Sequence, residues 1–392
     1  MTDYDVAVIG GGPTGSTAAD ELARAGHRVL LLDKQGRIKP CGGAIPPILV
    51  REFDIPESQL EAKVTLARMI SPSGQAVDMD IGGWVGMVDR GSFDEWLRTR
   101  AANNGADRIN GKCLGVVSEP DQPARVTFKE NDSNEVREVT ARFVIGADGA
   151  RSKVARACIA GADKVPHVFA YHEIIESPEA GEGDFDPQRC DVYYQGDVSP
   201  DFYGWVFPHG KCSSVGMGTH HQGYSLRNAT SLLRQRAGLS RAKTIRTEGA
   251  PIPLKPMKRW DNGRDVIVAG DAAGVVAPAS GEGIYYAMYT GKLAAEAVGE
   301  ALATGDARAL RQARKRFGKA HGRVFFILGI LQKFWYSSDK RREKFVKICR
   351  DPDVQHLTWE AYMNKQLVRA KPIAHVRIFF KDLAHLVGLA PR

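Results

Sequence analysis

The sequence predicts an α/β fold with two domains, because glycine-centred segments follow short apolar runs at three widely spaced places. The apolar runs cover residues 6–9, 144–145 and 266–269, and they end at Gly10, Gly146 and Gly270. An apolar run that stops at a glycine is typical of a buried parallel strand followed by a turn. The chain has 392 residues, enough for two domains and a tail, and its 43% hydrophobic and 26% charged residues are ordinary for a globular protein.

The first glycine segment predicts a dinucleotide site. Gly10 permits a tight turn out of the first strand, Gly12 lets backbone N–H groups approach a pyrophosphate, and Gly15 lets the next helix pack against the sheet. That helix points its positive N-terminal end at the phosphates. A second apolar run ends in Asp33, which we expect to accept hydrogen bonds from the adenosine ribose. An acid there disfavours a 2′-phosphate, so the bound dinucleotide is not expected to be NADP.

The other two segments extend this site to a flavin. Asp271 directly follows the third apolar run and is expected to bind the ribityl hydroxyls, and a helix is predicted to begin near Gly283 and Ile284 with its N-terminus aimed at the flavin ring. In the middle segment, Asp148 precedes a glycine and is expected to close the groove around the cofactor. The three segments in this order predict an FAD-dependent oxidoreductase with a Rossmann-type FAD-binding domain.

The domains are predicted to be discontinuous in sequence. Between the second and third glycine segments, short β-branched and aromatic runs alternate with Gly and Pro, which is typical of an antiparallel sheet. The predicted FAD-binding domain comprises residues 1–62, 90–160 and 262–305, the substrate domain residues 63–89 and 161–261, and a basic, largely helical C-terminal region residues 306–392.

Cysteine and histidine patterns give no indication of a metal site. The six cysteines are scattered without a CxxC pair or metal-ligand spacing, which suits a reducing cytoplasm. His220 and His221 are adjacent, so in a strand they would face opposite ways and would not act together. Residue 2 leads almost directly into the first strand, so we expect no secretory signal.

The basic charge of the chain is concentrated in its C-terminal region. Residues 301–392 contain 20 Lys+Arg and 7 Asp+Glu, a net charge of +13, whereas the whole chain carries +8, so residues 1–300 carry −5. No nucleic-acid motif accompanies this charge, so nucleic acid is not the expected partner. Residues 324–331 form an apolar run far shorter than the ~20 residues that span a bilayer.

Basic residues flank this run on both sides, and Trp335 and Tyr336 are expected to lie in a headgroup layer. We therefore expect peripheral attachment to an anionic membrane surface. The other interpretation is a core helix with a solvated basic face.

Longer strings in the chain resemble the geranylgeranyl reductases, and within them the branch of chlorophyll and bacteriochlorophyll synthesis. The matching strings are residues 39–46, 86–90, 93–98, 198–208, 281–286 and 331–336. The resemblance covers nearly the whole chain. It implies the fold of the aromatic-hydroxylase-like flavoprotein superfamily and a cytoplasmic enzyme peripherally associated with the photosynthetic membrane.

The resemblance implies that a geranylgeranyl group is reduced to phytyl, with FAD as carrier and NADPH as electron donor. The substrate would be geranylgeranylated chlorophyll or bacteriochlorophyll, or free geranylgeranyl diphosphate. The family's flavin contacts would fall on Gly15, Asp33, Cys41, Arg98, Asp271, Gly283 and Ile284. Plant counterparts have Cys-Ser where this chain has Ala279 and Ser280, so that position holds no essential thiol. A second GxGxxG segment for NADPH is absent, so the sequence does not locate the donor's site.

The alkenes of a prenyl tail are isolated, so reduction requires a proton donor and stabilisation of developing positive charge. Tyr203, Trp205 and Phe207 alternate in a predicted strand, so all three face one way and are candidates for lining an isoprenoid channel. The alternative is that they form the core of the substrate sheet. Cys41 and Tyr203 are the candidate catalytic residues, although Cys41 equally fits a small buried residue in a glycine loop.

Two other functions are compatible with the glycine segments. A flavin-dependent monooxygenase would use the same fold and would consume oxygen with its substrate. A non-catalytic prenyl-lipid carrier would keep the fold without using the flavin. The intact Gly15, Asp33 and Asp271 argue against a carrier.

Overall fold

The computed structural model describes residues 2–34, 38–39, 41–179 and 183–365. Residues 366–392 of the predicted C-terminal region lie outside the described residues. The chain divides into two compact units. Of the described residues, those within 1–39, 90–169 and 250–329 form the first unit, and those within 40–89, 170–249 and 330–365 form the second.

The described residues form strands and helices, with the longest helices in the C-terminal third of the chain. The strands are β1 (Tyr4–Ile9), β2 (Val29–Asp33), β3 (Ala44–Ile45), β4 (Ala62–Ile70), β5 (Ala76–Met87), β6 (Asp107–Val117), β7 (Ala124–Glu130), β8 (Val136–Gly146), β9 (His167–Glu176), β10 (Arg189–Tyr193), β11 (Gly204–His209), β12 (Cys212–Thr219), β13 (Thr244–Pro253) and β14 (Val266–Val268). The helices are α1 (Pro13–Arg24), α2 (Pro47–Glu52), α3 (Arg90–Asn103), α4 (Lys153–Cys158), α5 (Leu226–Arg236), α6 (Ile284–Thr304), α7 (Arg311–Trp335), α8 (Asp339–Ile348) and α9 (Pro352–Asn364).

The first unit is built on a parallel sheet. Strand β1 pairs in parallel with β2 and β8, β2 continues to β6, and β8 continues to β14. The far ends of β6 and β8 pair antiparallel with β7, which belongs to the same six-stranded sheet. Strands β1, β2 and β14 are short and almost wholly apolar, as expected for parallel strands that are covered on both faces. Since parallel strands end at the same edge, the loops that follow β1, β2, β8 and β14 gather there.

The second unit contains an eight-stranded sheet in the order β13-β9-β12-β11-β10-β4-β5-β3. Strands β10 and β4 pair in parallel, whereas β11 pairs antiparallel with both β10 and β12. A bulge between Val64 and Leu66 interrupts the β4–β5 ladder. Burial alternates along β5 and β9, which is the pattern of an antiparallel sheet with one covered face. The sheet predicted for the substrate domain is therefore present, with β3–β5, β4–β5, β10–β11 and β11–β12 paired antiparallel and β4–β10 paired in parallel.

The units differ from the predicted division at several segments. Residues 161–169 and 250–261, predicted to belong to the substrate domain, fall in the first unit, and residues 330–365 of the predicted C-terminal region fall in the second. Residues 40–62, predicted to belong to the FAD-binding domain, fall in the second unit because β3 pairs antiparallel with β5 at Ala44 and Met87. Residues 306–329, predicted to belong to a separate C-terminal region, fall in the first unit. There Phe317, on α7, packs its ring 5.3 Å from that of Trp260. Both contacts are between residues distant in sequence, which periodicity alone does not reveal.

Helix α7 has one buried and one exposed apolar face. Phe325 and Trp335 are buried, whereas Phe326, Ile327, Ile330 and Leu331 are exposed. Trp335 and Tyr336 are each only 5% exposed, so their expected place in a headgroup layer is wrong. Their rings pack instead against Phe345 of α8, at centroid distances of 5.9 and 6.1 Å. The end of α7 is therefore packed against α8 within the second unit. Within the described residues, no helix combines the length and apolar character needed to cross a bilayer.

Candidate active site

The loop after β1 depends on glycines, because a side chain at Gly10 or Gly15 would clash with the backbone. Gly10 has a φ of +106°, and a Cβ there would lie 2.4 Å from the carbonyl oxygen of Ala147. A Cβ on Gly15 would lie 1.8 Å from the Gly10 carbonyl oxygen, so α1 approaches the loop more closely than any side chain allows. A Cβ on Gly12 would meet nothing within 4 Å, so the backbone at the start of α1 borders open space. Gly12 caps α1 without a side-chain hydrogen bond, which leaves a helix N-terminus suited to a phosphate.

Asp33, at the end of β2, is oriented by two neighbours. The Gly11 N–H donates to Asp33 Oδ1 over 2.9 Å, and Arg98 Nη1 donates to Oδ2 over 3.2 Å. Arg98 Nη1 also donates to the Gly11 carbonyl oxygen over 3.1 Å. Arg98 Nη2 donates to Glu95 Oε2 over 3.0 Å. The structure thus brings together Asp33, predicted from the glycine motif, and Arg98, predicted only from the family resemblance. The carboxylate is fixed at the position where an adenosine ribose is expected.

Asp271 lies in the turn that follows β14. The Gly270 N–H donates to Thr290 Oγ1 over 2.9 Å, which ties this turn to α6. Lys39 Nζ donates to Asp271 Oδ2 over 2.5 Å across 232 residues of sequence. Sequence reasoning missed Lys39 as a site residue, although it opens one of the strings that carry the family resemblance. Asp271 also lines a cleft of about 200 Å³ together with Ser152 and Arg151.

The beginning of α6 adjoins this carboxylate. Gly283 caps the helix without a side-chain bond, and a Cβ there would lie 3.9 Å from Asp271 Oδ1. Ile284, the first helical residue, is buried. The N–H of Tyr285 donates to Glu282 Oε1 over 2.9 Å, so the expectation that this N-terminus offers its N–H groups freely is wrong for that group. The open space at Gly12 and the cleft at Asp271 fit the phosphate and ribityl parts of a flavin dinucleotide.

Asp148 has a structural role in the loop after β8. Ser152 and the N–H of Lys153 donate to its two carboxylate oxygens, the latter over 2.6 Å, so Asp148 caps the start of α4. Burial raises its pKa, although hydrogen bonds from Ser152 and the backbone oppose this effect. A direct contact between Asp148 and the cofactor stays a prediction.

In the second unit, the three aromatic residues around β11 share one face. The ring of Trp205 lies 6.0 Å from that of Tyr203 and 6.4 Å from that of Phe207. Tyr203 and Trp205 are 9% and 6% exposed. A Cβ on Gly42 would lie 3.0 Å from the Phe207 ring, so the Cys41–Gly43 loop borders this face. The predicted alternation is therefore observed.

Cys41 is a free, half-buried thiol whose Sγ accepts a hydrogen bond from the Gly43 N–H over 3.4 Å. Its loop is anchored by His209, whose Nε2 lies 3.1 Å from the Gly42 carbonyl oxygen. Burial lowers the pKa of His209 to about 4, so this imidazole is neutral at pH 7 and its Nε2–H donates to Gly42. The loop that carries the candidate thiol is thus held by an uncharged hydrogen bond.

Tyr203 lies in a cluster of aromatic rings. It stacks on Phe202 at 4.3 Å and lies 6.1 Å from Tyr194. Burial, followed by the neighbouring Tyr336 and Cys41, raises the pKa of Tyr203 far above its ordinary value. The phenol therefore keeps its proton at neutral pH.

Sequence reasoning missed a buried histidine in the same unit. His172 is 2% exposed and lies between Ser214 and Glu248, at 2.8 and 2.7 Å. The sequence offered no signal for it, because its partners lie 42 and 76 residues away. His220, by contrast, is exposed. Among the described residues, no group of three or more His, Cys, Asp or Glu side chains could hold a metal ion.

A parallel sheet with a glycine-shaped phosphate loop, an acid at the ribose position and a second acid before α6 defines a flavin-dependent oxidoreductase. The family "Pyridine nucleotide-disulphide oxidoreductase" matches residues 4–192. The solved structure of the flavin-dependent brominase Bmp2 shares the fold, with a TM-score of 0.75 at 18% identity over 97% of this chain and 99% of that chain.

More specific relatives identify the family. The chain is 55% identical to the geranylgeranyl diphosphate reductase of Rhodobacter capsulatus over 99% of this chain and 98% of that protein. A geranylgeranyl bacteriochlorophyll reductase-like protein from Thermoplasma acidophilum superposes with a TM-score of 0.82 at 26% identity, covering 95% of this chain and 99% of that one. The chain belongs to the geranylgeranyl diphosphate reductase family, as the motif strings predicted.

Proposed function

We propose that this flavoprotein reduces three isolated C=C bonds of a geranylgeranyl group to give phytyl, with NADPH as electron donor to FAD. The observation that carries the proposal is the presence, in one chain, of a complete dinucleotide loop and of a row of aromatic rings, two of which are buried. The loop supplies space at Gly12 for a pyrophosphate, and the row at Tyr203, Trp205 and Phe207 supplies an apolar, charge-tolerant surface. The geranylgeranyl group is carried by chlorophyll or bacteriochlorophyll, or by free diphosphate.

The chain's own residues bind the cofactor, orient the prenyl tail and protonate the alkene. The N-terminus of α1 binds the pyrophosphate, Asp33 binds the ribose, and Asp271 binds the ribityl chain. FAD, when bound, supplies the hydride. The faces of Tyr203 and Trp205 stabilise positive charge that develops on the tertiary carbon as the alkene is protonated. The proton comes from the Tyr203 phenol, which its raised pKa keeps protonated, or from the Cys41 thiol, whose loop borders the aromatic row.

The proposal is tested with purified protein under anaerobic conditions. The protein should be yellow, should bleach when NADPH is added, and should convert geranylgeranyl to phytyl. Feeding the pigment ester and the free diphosphate separately identifies the substrate. Tyr203→Phe and Cys41→Ser should keep their flavin, and the variant that lacks the proton donor should lose most of its turnover, typically 10²- to 10⁴-fold for a general acid. In a parallel aerobic assay, oxygen consumption in proportion to substrate would instead indicate a monooxygenase, and a colourless protein would indicate a carrier.

The number of bonds reduced is set by how the tail is held. Each reaction cycle delivers one hydride, so the tail must be repositioned between reductions. Hydrophobic contacts along the aromatic row are non-directional and tolerate such shifts in register. The alkene nearest the head group is spared because the bulky head group cannot follow the tail. Dihydro and tetrahydro products should therefore accumulate when NADPH is limiting. A fully saturated tail, or a single reduction with excess NADPH, would contradict the sliding of the tail.

We also propose that the protein binds peripherally to the cytoplasmic face of an anionic, photosynthetic membrane through α7. Phe326 is 70% exposed and Ile330 52%, and Ile327 and Leu331 continue the same stripe at helical spacing. Basic side chains precede and follow the stripe, among them Lys319, Arg323, Lys333, Lys340 and Lys344. Apolar insertion combined with lysine and arginine is the combination that holds amphipathic helices at anionic lipid.

Vesicle flotation tests this surface. Phe326→Ser with Ile330→Ser should weaken binding to phosphatidylglycerol vesicles by at least tenfold, and high salt should weaken it further. Val136→Ser is the matched control, because Val136 is 63% exposed on β8 and distant from α7 in sequence. Equal binding by the α7 double variant, or binding that is indifferent to lipid charge, would contradict the proposal.

A further inference from the structure

A chain of four hydrogen-bonded side chains crosses the sheet of the second unit. Glu248, His172, Ser214 and Trp205 lie on the neighbouring strands β13, β9, β12 and β11, one on each strand. Glu248 Oε2 lies 2.7 Å from His172 Nε2, and His172 Nδ1 lies 2.8 Å from Ser214 Oγ. Trp205 Nε1 donates to the same Ser214 oxygen over 3.0 Å. We call these four residues the sheet relay.

Hydrogen-bond chemistry gives the relay one direction when His172 is neutral. The indole N–H of Trp205 can only donate, so Ser214 Oγ must accept from it. Ser214 then donates its own proton to His172 Nδ1, and His172 donates its Nε2 proton to the Glu248 carboxylate. Every donor meets one acceptor, and no member could reverse its bond without leaving a buried group unpaired. Such a fully satisfied buried network fixes the orientation of its members.

The carboxylate at the outer end is itself held in its ionised form. Arg246 donates to Glu248 Oε1 over 2.7 Å and to Asp89 Oδ2 over 2.5 Å. Burial alone would raise the pKa of Glu248, but the bonds from His172 and Arg246 outweigh it and leave the pKa below its ordinary value. The acceptor that sets the tautomer of His172 is therefore charged at neutral pH.

The inner end of the relay is fitted to the indole ring. Trp205 pairs with Gly216 across the β11–β12 ladder, and a Cβ on Gly216 would lie 2.5 Å from both Trp205 Cζ2 and His172 Cβ. The missing side chain lets the indole lie against the relay. Trp205 Nε1 also lies 4.0 Å from the position of a Cβ on Gly42, next to Cys41. The indole is thus approached closely by the backbone at Gly216 and bordered by the loop at Gly42.

We propose that Glu248, His172 and Ser214 are positioning residues that fix the indole plane of Trp205 against the prenyl tail. They act through Trp205 and do not touch the substrate. This inference rests on the proposed function, since it gives Trp205 a part in the reaction. A fixed ring determines which carbon of the tail faces the aromatic surface, and thereby the register in which each alkene is presented.

The test compares two buried serines of β12. Ser214→Ala cuts the relay, whereas Ser213→Ala is the matched control, because Ser213 is equally buried and bonds instead to Ser177 over 2.8 Å. Glu248→Leu removes the acceptor of His172 and provides a second cut, in a side chain that reaches the edge of the buried region. The readouts are the Trp205 indole N–H resonance in ¹⁵N-tryptophan-labelled protein, assigned with Trp205→Phe, and the ratio of dihydro to tetrahydro products at limiting NADPH.

The two cuts should shift the indole resonance, change the product ratio and lower kcat by about two- to tenfold, which corresponds to the loss of one buried hydrogen bond. Ser213→Ala should change none of these. In a Trp205→Phe background, Ser214→Ala should have no further effect on turnover. An unmoved resonance in both cuts, or an equal loss of turnover in the Trp205→Phe background, would overturn the positioning role.

Failure of the proposed function gives a different result. If Trp205→Phe reduces the tail at the normal rate and with the normal product ratio, Trp205 has no part in the reaction and the positioning role falls with it. The reductase activity of the flavoprotein would then still stand. If instead the protein reduces no prenyl substrate at all, the proposed function itself is wrong, whatever the resonance does.

Discussion

The phosphate loop of the first unit and the sheet relay of the second unit are built in opposite ways. Gly10, Gly12 and Gly15 lie within six residues of sequence and act by having no side chain. The relay acts through polar side chains that four separate strands bring together between residues 172 and 248. One region is a shaped space, and the other is a directed set of hydrogen bonds. A closely packed glycine loop is disrupted when one atom is added, because there is no room for it. Removing one member of a hydrogen-bonded network instead costs about as much free energy as the bond that is lost.

The largest effect is expected at Gly15 and separates two kinds of glycine. Gly15→Val should abolish flavin binding, because even its Cβ would lie 1.8 Å from the Gly10 carbonyl oxygen and would push α1 off the loop. Gly12→Ala has no protein atom within 4 Å of its new methyl group, so it should fold normally and lose only the cofactor. Thermal unfolding of the apoproteins and the ratio of flavin to protein after gel filtration measure the two effects. Full flavin content in Gly15→Val would show that the cofactor is placed wrongly.

A large pH effect is expected in the second unit at His209. The unfolded imidazole takes up a proton near its ordinary pKa of 6.5, but the folded one does so only near 4. Unfolding therefore binds a proton between these values, and the stability of the native state falls as the pH drops from 6.5 to 4, by roughly 3 kcal/mol for a shift of this size. His209→Gln should flatten this slope in denaturant titrations. An identical slope in the variant would show that His209 is not the group responsible.

A smaller loss is expected at Asp271. Asp271→Ala removes a charge-assisted hydrogen bond worth roughly 1.5–3 kcal/mol, so FAD should bind about 10- to 100-fold more weakly and much of the protein should be isolated without flavin. Asp163→Ala is the control, because this acid lines the same cleft but is exposed. Titration of apoprotein with FAD, followed by fluorescence quenching, compares the two. Equal affinities would remove Asp271 from the flavin site.

The smallest effect is expected at Gly299 of α6, and Gly291 of the same helix provides the contrasting case. A Cβ on Gly291 would lie 2.3 Å from the Thr14 carbonyl oxygen, so Gly291→Ala should destabilise the contact between α1 and α6. Gly299 has nothing within 4 Å, so Gly299→Ala should stabilise the protein by about 0.5–1 kcal/mol, the ordinary gain of alanine over glycine in a helix. Denaturant unfolding of both variants measures the difference. Changes of the same sign would contradict it.

Sequence predicted the first unit's site more fully than the second unit's. The positions of Gly10, Gly15 and Asp33 follow from one strand, one turn and one helix, so their geometry was already implied by their spacing. The alternation of Tyr203, Trp205 and Phe207 was likewise local, and their rings do share a face. The C-terminal region shows the limit of this reasoning, because the apolar run on α7 was recognised but the burial of Trp335 and Tyr336 was not.

The sequence by itself determined the flavin class, the glycine positions and the aromatic row, because each depends on sterics or periodicity within a few residues. Only the tertiary structure decided that Lys39 reaches Asp271, that His172 lies between Ser214 and Glu248, and that one face of α7 stays exposed. These contacts join residues that lie 42 to 232 positions apart. They depend on the order of strands in a sheet and on which helix covers which face. Neither can be predicted from the spacing of neighbouring residues.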